Sequence, residues 1–246
     1  MPCVFCSYPK TTNEHVFPQW VLDVLPGEGR VVHRWEAPPR SDGESREWTA
    51  DVITFTANVV CSKNCNSGWM SRLETDARPY LEPMIQGRGR TLYGRGRELV
   101  AFWALKTAMM IDFAQEETNR SVPLDDYPAL YAAQTVLPST FVWLAGSDFG
   151  AGALAQHRTL DIRSGDHHAA GYGATVNVGH LVIQVIRADL GGGRAIDIVG
   201  RLGPALQRLW PAPRPVIWPP KVLLTRQHVA MLGQMIEANP TTLGPI

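Results

Sequence analysis

The chain reads as an α+β protein, a small metal-stapled N-terminal module followed by a domain with a mostly antiparallel sheet. Three observations predict this. The four cysteines fall in two close pairs, Cys3-x2-Cys6 and Cys61-x3-Cys65. A single long apolar run, Leu99 to Gln115, has the length of a core helix. Beyond residue 138, short β-prone stretches alternate with turn residues. The 246 residues are 45% hydrophobic and 19% charged, enough apolar surface for a packed core, which excludes disorder along the whole length. No window approaches eighteen uninterrupted apolar residues, so no membrane span is expected. The opening MPCVFCSYPK lacks a basic and then apolar leader, so no secretory signal is expected; the short-spaced cysteines predict a metal site in a reducing cytoplasm.

In order along the chain, residues 1–12 form a Cys-x-x-Cys turn, and Thr12 to Phe17 is extended. Pro18 opens a short helix, Gln19 to Leu25, which Pro26-Gly27 stops. Val31 to Glu36 and Arg46 to Val52 flank the polar PPRSDGES as a hairpin. Val52 to Val60 continues as a strand with Ile53, Phe55, Ala57 and Val59 on one face. Ser67 to Ile85 has helical spacing, and Pro79 is expected to break or kink it. Residues 86–97, QGRGRTLYGRGR, hold four Arg and four Gly and read as a linker. Helices are predicted at Leu99–Gln115, Asp125–Thr135 and Thr225–Glu237. Strands are predicted at Thr140–Ala145, Thr159–Arg163, Thr175–Val178, Leu181–Arg187 and Ala195–Val199, with a turn at Asn177-Val178-Gly179-His180. The expected organisation is a module over 1–85, a linker over 86–98 and an α+β domain over 99–246.

Charge narrows the function classes. Lys+Arg is 23 and Asp+Glu is 23, and neither half carries an excess. A protein that coats duplex nucleic acid normally shows a positive surplus. A site gripping one or two phosphates remains compatible with a neutral chain.

The cysteine pairs carry the strongest chemical signal. Zinc takes four ligands in a tetrahedron, with Zn–S of about 2.3 Å. Two short-spaced pairs on separate turns supply that set from Cys3, Cys6, Cys61 and Cys65 and would staple distant segments together. Four independent buried thiols are the alternative. With four protein ligands such a zinc is structural.

Closing that staple brings Glu14-His15 toward Asn66, which follows the last cysteine. Here Cys3-Val-Phe-Cys6, Asn13-Glu14-His15-Val16-Phe17-Pro18 and Cys61-Ser-Lys-Asn-Cys65-Asn66 together resemble the HNH endonucleases, which have the ββα-metal fold. The resemblance covers residues 3 to about 85. It implies that His15 is the general base activating water, that Glu14 holds a divalent cation (magnesium or manganese), and that Asn66 is a second ligand or orients the base. Imidazole suits proton removal near neutral pH, and a hard cation takes oxygen ligands. The acid is Glu, where the family more often has Asp. The family's third position is here Trp69 or Met70, neither of which ligates a hard cation. Glu74 lies eight residues beyond Asn66, about 80° off its face on one continuous helix. Glu14 and His15 are neighbours, so both serve one site only if the strand is bent.

Other candidates are weaker. Arg88, Arg90, Arg95 and Arg97 are phosphate-clamp candidates on flexible Gly; a solvated loop is the competing reading. Asp166-His167-His168 is half a metal set, and His33 lies between the motifs. Trp69, Trp103, Trp143, Trp210 and Trp218 are expected in the core. The expected activity is metal-dependent hydrolysis of phosphodiesters, with nucleic acid as partner, DNA ahead of RNA. An HNH-fold enzyme turned to a small-molecule substrate and a non-catalytic zinc-stapled binding module are the rivals. No membrane partner is expected, and the sequence does not address oligomeric state.

Overall fold

The computed structural model describes residues 2–25, 30–36, 45–51, 56–60, 62–115, 117–150, 153–164, 167–189, 191, 194–198, 202–232 and 238–242. Cys61, Asp166, the strand predicted over 52–55 and the end of the last predicted helix lie outside these residues. So do the side chains of His33, His167 and His168.

The N-terminal third runs β1 (Thr12–His15), α1 (Gln19–Val24), β2 (Arg30–Glu36), β3 (Ser45–Asp51) and β4 (Thr56–Val60). A π-helical segment, Ser62–Met70, then leads into α2 (Ser71–Ile85). Next come β5 (Arg90–Leu92), α3 (Gly94–Phe113), α4 (Asp126–Ala133), β6 (Thr140–Ser147), β7 (Ala153–Ser164), β8 (His167–Val178) and β9 (Leu181–Ala188). The chain continues through β10 (Arg194–Ile198), β11 (Gln207–Trp210), β12 (Val216–Trp218), β13 (Leu223–Leu224), α5 (Arg226–Leu232) and β14 (Ala238–Thr242).

The main sheet has the order β11-β6-β9-β8-β7-β2-β3, with β13 also on β6. All its pairings are antiparallel except β2–β7 and β13–β6. The hairpin β2–β3 therefore extends the sheet built by the later strands. Helix α3 lies against one face, fully apolar from Val100 to Ala104 and buried throughout its middle. Strand β6 is buried on both faces. Val142 and Leu144 join the α3 side, while Phe141, Trp143 and Ala145 meet smaller clusters that include Ile196, Val229 and Leu232. Burial on both faces explains the nearly unbroken apolar sequence of β6.

Two sequence expectations are corrected. Helix α2 runs unbroken through Pro79 and Pro83. Pro79 is exposed, so the carbonyl it leaves unpaired one turn earlier, on exposed Thr75, is hydrated rather than stranded in the core. The Arg/Gly-rich stretch is structured. β5 pairs with β12 through Arg90↔Trp218, Thr91↔Ile217 and Leu92↔Val216, and α3 begins at Gly94. A Cβ on Gly96 would come within 2.8 Å of the Tyr80 ring, so this glycine permits close packing of α3 on α2. Its sequence signature of flexibility reflects a need for small size.

The far end of α3 is tied to the sheet by a buried ionic cluster. Asp112 accepts hydrogen bonds from Ser121 N and Oγ (2.7 Å each) and Val122 N (3.2 Å). His157 Nδ1, on β7, lies 3.2 Å from Asp112 Oδ1. Burial pushes the Asp112 carboxyl up, but the His157 hydrogen bond and charge, with the Ser121 bonds, outweigh it and hold the group below the usual carboxylate range. A depressed native pKa adds stability above the unfolded value, near 3.9, and that stability is lost as pH falls from there through the lowered native value. Asp112→Asn is therefore expected to cost about 3 kcal/mol or more at neutral pH in denaturant unfolding. The deficit should shrink as the pH is lowered below about 4.

Candidate functional site

The site begins with the turn that carries the first cysteine pair. Ser7, at φ 58°, donates from N to the Cys3 carbonyl, and Cys3 N donates to Tyr8 O, both at 2.8 Å. The turn presents Cys3 and Cys6 to Cys65, and the three sulfurs lie within 4.8 Å of one another. Cys3 Sγ and Cys65 Sγ are 3.7 Å apart. Tetrahedral ligands at about 2.3 Å from a metal sit about 3.8 Å apart, so the spacing fits a metal centre. Burial pushes the Cys65 thiol well up, the Trp69 indole opposes that, and the neighbouring Cys3 and Cys6 add to it. Such a cluster becomes thiolate when a cation offsets the charge. Asn64 Nδ2 lies 3.9 Å from Cys6 Sγ as a donor.

Apolar packing reinforces the junction. Phe5, between the two cysteines, meets Trp69 edge-on at 5.5 Å and Tyr127 at 5.4 Å. Trp69 stacks on Phe102 of α3, with centroids 5.6 Å apart. Trp69 is a core residue, as its chemistry requires.

Strand β1 pairs antiparallel with β4, and its register slips between Thr12 and Glu14: Thr12 faces Val60, whereas Glu14 faces Ala57 and His15 faces Thr56. The extra residue lies on β4, with three steps from Val60 to Ala57 against two on β1; Glu14 and His15 follow in regular register, so the bend expected between them is not found. Glu14 is 5% exposed, and His15 is exposed. On the opposing side, the helical path is interrupted at Gly68 (φ −101°, ψ −113°). A Cβ there would sit 3.2 Å from the Lys63 carbonyl. The chain changes direction between Asn66 and Glu74, so the angular offset reckoned for one straight helix does not apply.

The result is a polar cavity of about 180 Å³ lined by Glu14, His15, Pro18, Gln19, Asn66 and Glu74. The sequence-predicted Glu14, His15 and Asn66 come together. Glu74, placed off their face by sequence geometry, joins them. Lys106 was not singled out. It is fully buried on α3, and its Nζ donates to Glu74 Oε1 at 2.8 Å. Its signal was available, because a lone Lys inside an apolar core helix needs a buried partner. Among the described residues, the cysteine trio is the one His/Cys/Asp/Glu group with ligand atoms within 4.8 Å of one another. Glu14, Asn66 and Glu74 offer hard oxygen donors around the cavity. That suits a cation retaining several waters.

The four arginines do not converge on this cavity. Arg88 donates to Gln86 Oε1, and Arg90 lies 5.0 Å over the Tyr80 ring. Arg95 is 3.6 Å from Asp76. Arg97 donates to the Ala212 carbonyl and, at 2.9 Å, to the Arg214 carbonyl.

Burial pushes the Glu14 carboxyl from an ordinary 4.5 up to about 7; the Lys106 charge opposes this and Glu74 adds to it. A raised acid pKa favours the folded state at low pH, and this contribution is lost as pH rises from 4.5 to about 7. Without added magnesium or manganese, Glu14→Gln should melt higher than wild type at pH 8. The gap is at most about 3 kcal/mol and should close by pH 4. Comparison with protein-family models, with curated proteins and with solved structures finds no match to this chain, so its chemistry is read from the geometry of this site.

Proposed function

We propose that this chain is a metal-dependent phosphodiesterase of the HNH type, with a ββα-metal-like module in its N-terminal third, acting on nucleic acid and on DNA ahead of RNA. One observation carries the reading: the end of β1 and the segment after Cys65 bring Glu14, His15, Asn66 and Glu74 to the same cavity. In this reading zinc occupies Cys3, Cys6 and Cys65, with Cys61 as the fourth ligand.

The roles follow from chemistry. His15, exposed at the rim, takes a proton from water as the water oxygen bonds to phosphorus and the bond to the leaving oxygen breaks. Glu14, Asn66 and Glu74 are the oxygen donors for a divalent cation, whose contribution when bound is to neutralise charge building on the leaving oxygen. Lys106 is a positioning residue. It holds one Glu74 oxygen and offsets one of two neighbouring carboxylate charges.

Size favours a macromolecular substrate over the small-molecule alternative. Pockets that enclose a small ligand span about 300–1,000 Å³ and are mostly apolar. This one is about 180 Å³, and Pro18 is the one apolar residue among the described lining residues. It has room for one phosphate group and its counter-ion, as an extended strand would present. A purely structural module has no need of a buried carboxylate held near neutrality beside an exposed imidazole.

The purified chain should contain about one zinc per molecule by elemental analysis, and Cys65→Ser should lose it together with several degrees of thermal stability. Wild type should nick supercoiled plasmid with magnesium or manganese, and His15→Ala should slow cleavage by roughly a hundredfold or more. Equal behaviour of wild type and His15→Ala on DNA and RNA across divalent ions would overturn the catalytic assignment.

A further inference from the structure

Helices α1 and α2 line both the candidate site and a second cavity. The second cavity is about 570 Å³ and is lined by Val24, Ile85, Gln86, Arg88 and His180. The β8–β9 turn builds one wall. Its Gly179 has φ 57°, and His180 N donates to the Ile85 carbonyl in the last turn of α2 (2.9 Å). His180 Nδ1 lies 3.0 Å from the Ser147 carbonyl. A carbonyl only accepts, so Nδ1 carries a proton, and Nε2 donates to an anion only in the imidazolium form. A Cβ on Gly87 would come within 2.9 Å of the imidazole and one on Gly150 within 2.4 Å. The ring is therefore held in a close cradle.

The donors are of one kind. Arg88 is steadied by Gln86 Oε1 and has no other polar partner among the described residues. Its remaining N–H groups and the Gln86 amide nitrogen are available, and no carboxylate is among the described lining residues. We propose that this cavity is a phosphate subsite that takes a backbone phosphate of the strand a few nucleotides from the scissile bond. The proposal rests on the nuclease reading for the identity of the strand. The arginine fork matches phosphate, and the partly exposed Val24 supplies an apolar contact for the attached sugar. Gln19 and Glu74 line the first cavity, Val24 and Ile85 the second. The rise is about 8 Å along α1 and about 16 Å along α2. At about 3.4 Å of axial rise per nucleotide, that spans roughly two to five nucleotides.

A free phosphorylated small molecule shares this chemistry, and two binding measurements separate the sources. Both are made with zinc-loaded protein and no added magnesium or manganese. Fluorescence anisotropy follows a short single-stranded oligonucleotide, and thermal shift follows inorganic pyrophosphate. Arg88→Ala is expected to weaken oligonucleotide binding by about fivefold or more and to reduce the salt slope by roughly one ion, with His180→Gln acting in the same direction. Arg88→Lys should recover part of the loss, as a point charge without the fork. An Arg88-dependent pyrophosphate shift with unchanged oligonucleotide affinity overturns the strand assignment and gives the site to a free phosphate compound. Equal oligonucleotide affinity in wild type, Arg88→Ala and His180→Gln, with no Arg88-dependent pyrophosphate shift, overturns the subsite altogether. Neither readout requires cleavage. Arg88-dependent strand binding by a protein that cuts neither DNA nor RNA would retire the nuclease reading and leave the subsite standing.

Discussion

The junction between the Cys3–Cys6 turn and Cys65 is the constraint on which the candidate site depends. Residues more than fifty positions apart meet there through three sulfurs within 4.8 Å and through Phe5 packed edge-on against Trp69. Each element of the site hangs from this junction: β1 leaves the first turn, and Asn66 follows the second. Trp69 continues the contact into the main core by stacking on Phe102. The metal-binding geometry and the aromatic core are thus one support, and displacement of either would move His15 relative to Asn66.

Around the cavity, charge is arranged at a cost to stability. Two carboxylates and an ammonium are placed where water is scarce. Lys106, fully buried, is paired with Glu74 at 2.8 Å, which keeps an otherwise prohibitive buried charge satisfied. Glu14 has no such partner at hydrogen-bond distance among the described residues, and its carboxyl is pushed up to about 7. The contrast with Asp112 is instructive. That carboxylate is equally buried, yet it gathers hydrogen bonds from Ser121, Val122 and His157 and titrates low. The first arrangement leaves a carboxyl without a fully compensating charge partner; the second braces a helix against a sheet.

The same pair of helices organises more than one surface. α2 places Glu74 near its start and Ile85 at its end, and the β8–β9 turn docks onto that end through the His180 N–H. The later strands therefore reach the N-terminal elements at the far end of α2, and β2–β3 join the main sheet beside β7. A substrate lying along α1 and α2 would touch residues from both halves of the chain.

Several features were legible in the sequence because they are local. The cysteine spacing announces a thiol cluster that could bind a metal, the Leu99–Gln115 run a core helix, and Asn177 to His180 a hairpin turn. The histidine and the amide of the site were readable from their order relative to the cysteines. What sequence spacing misjudged were positions decided by backbone direction and contact. Glu74 enters the cavity because the path turns at Gly68. Gly96 serves close packing against Tyr80 rather than flexibility, and Pro79 is tolerated because its orphaned carbonyl faces water. Lys106 belongs to the site because α3 crosses α2 there, which no spacing along the chain can express. Periodicity along a chain encodes which residues share a face, whereas the approach of two distant faces is set by packing between them. The sequence alone therefore determined the ligand types and the principal elements, and the tertiary structure decided which charged groups share a cavity.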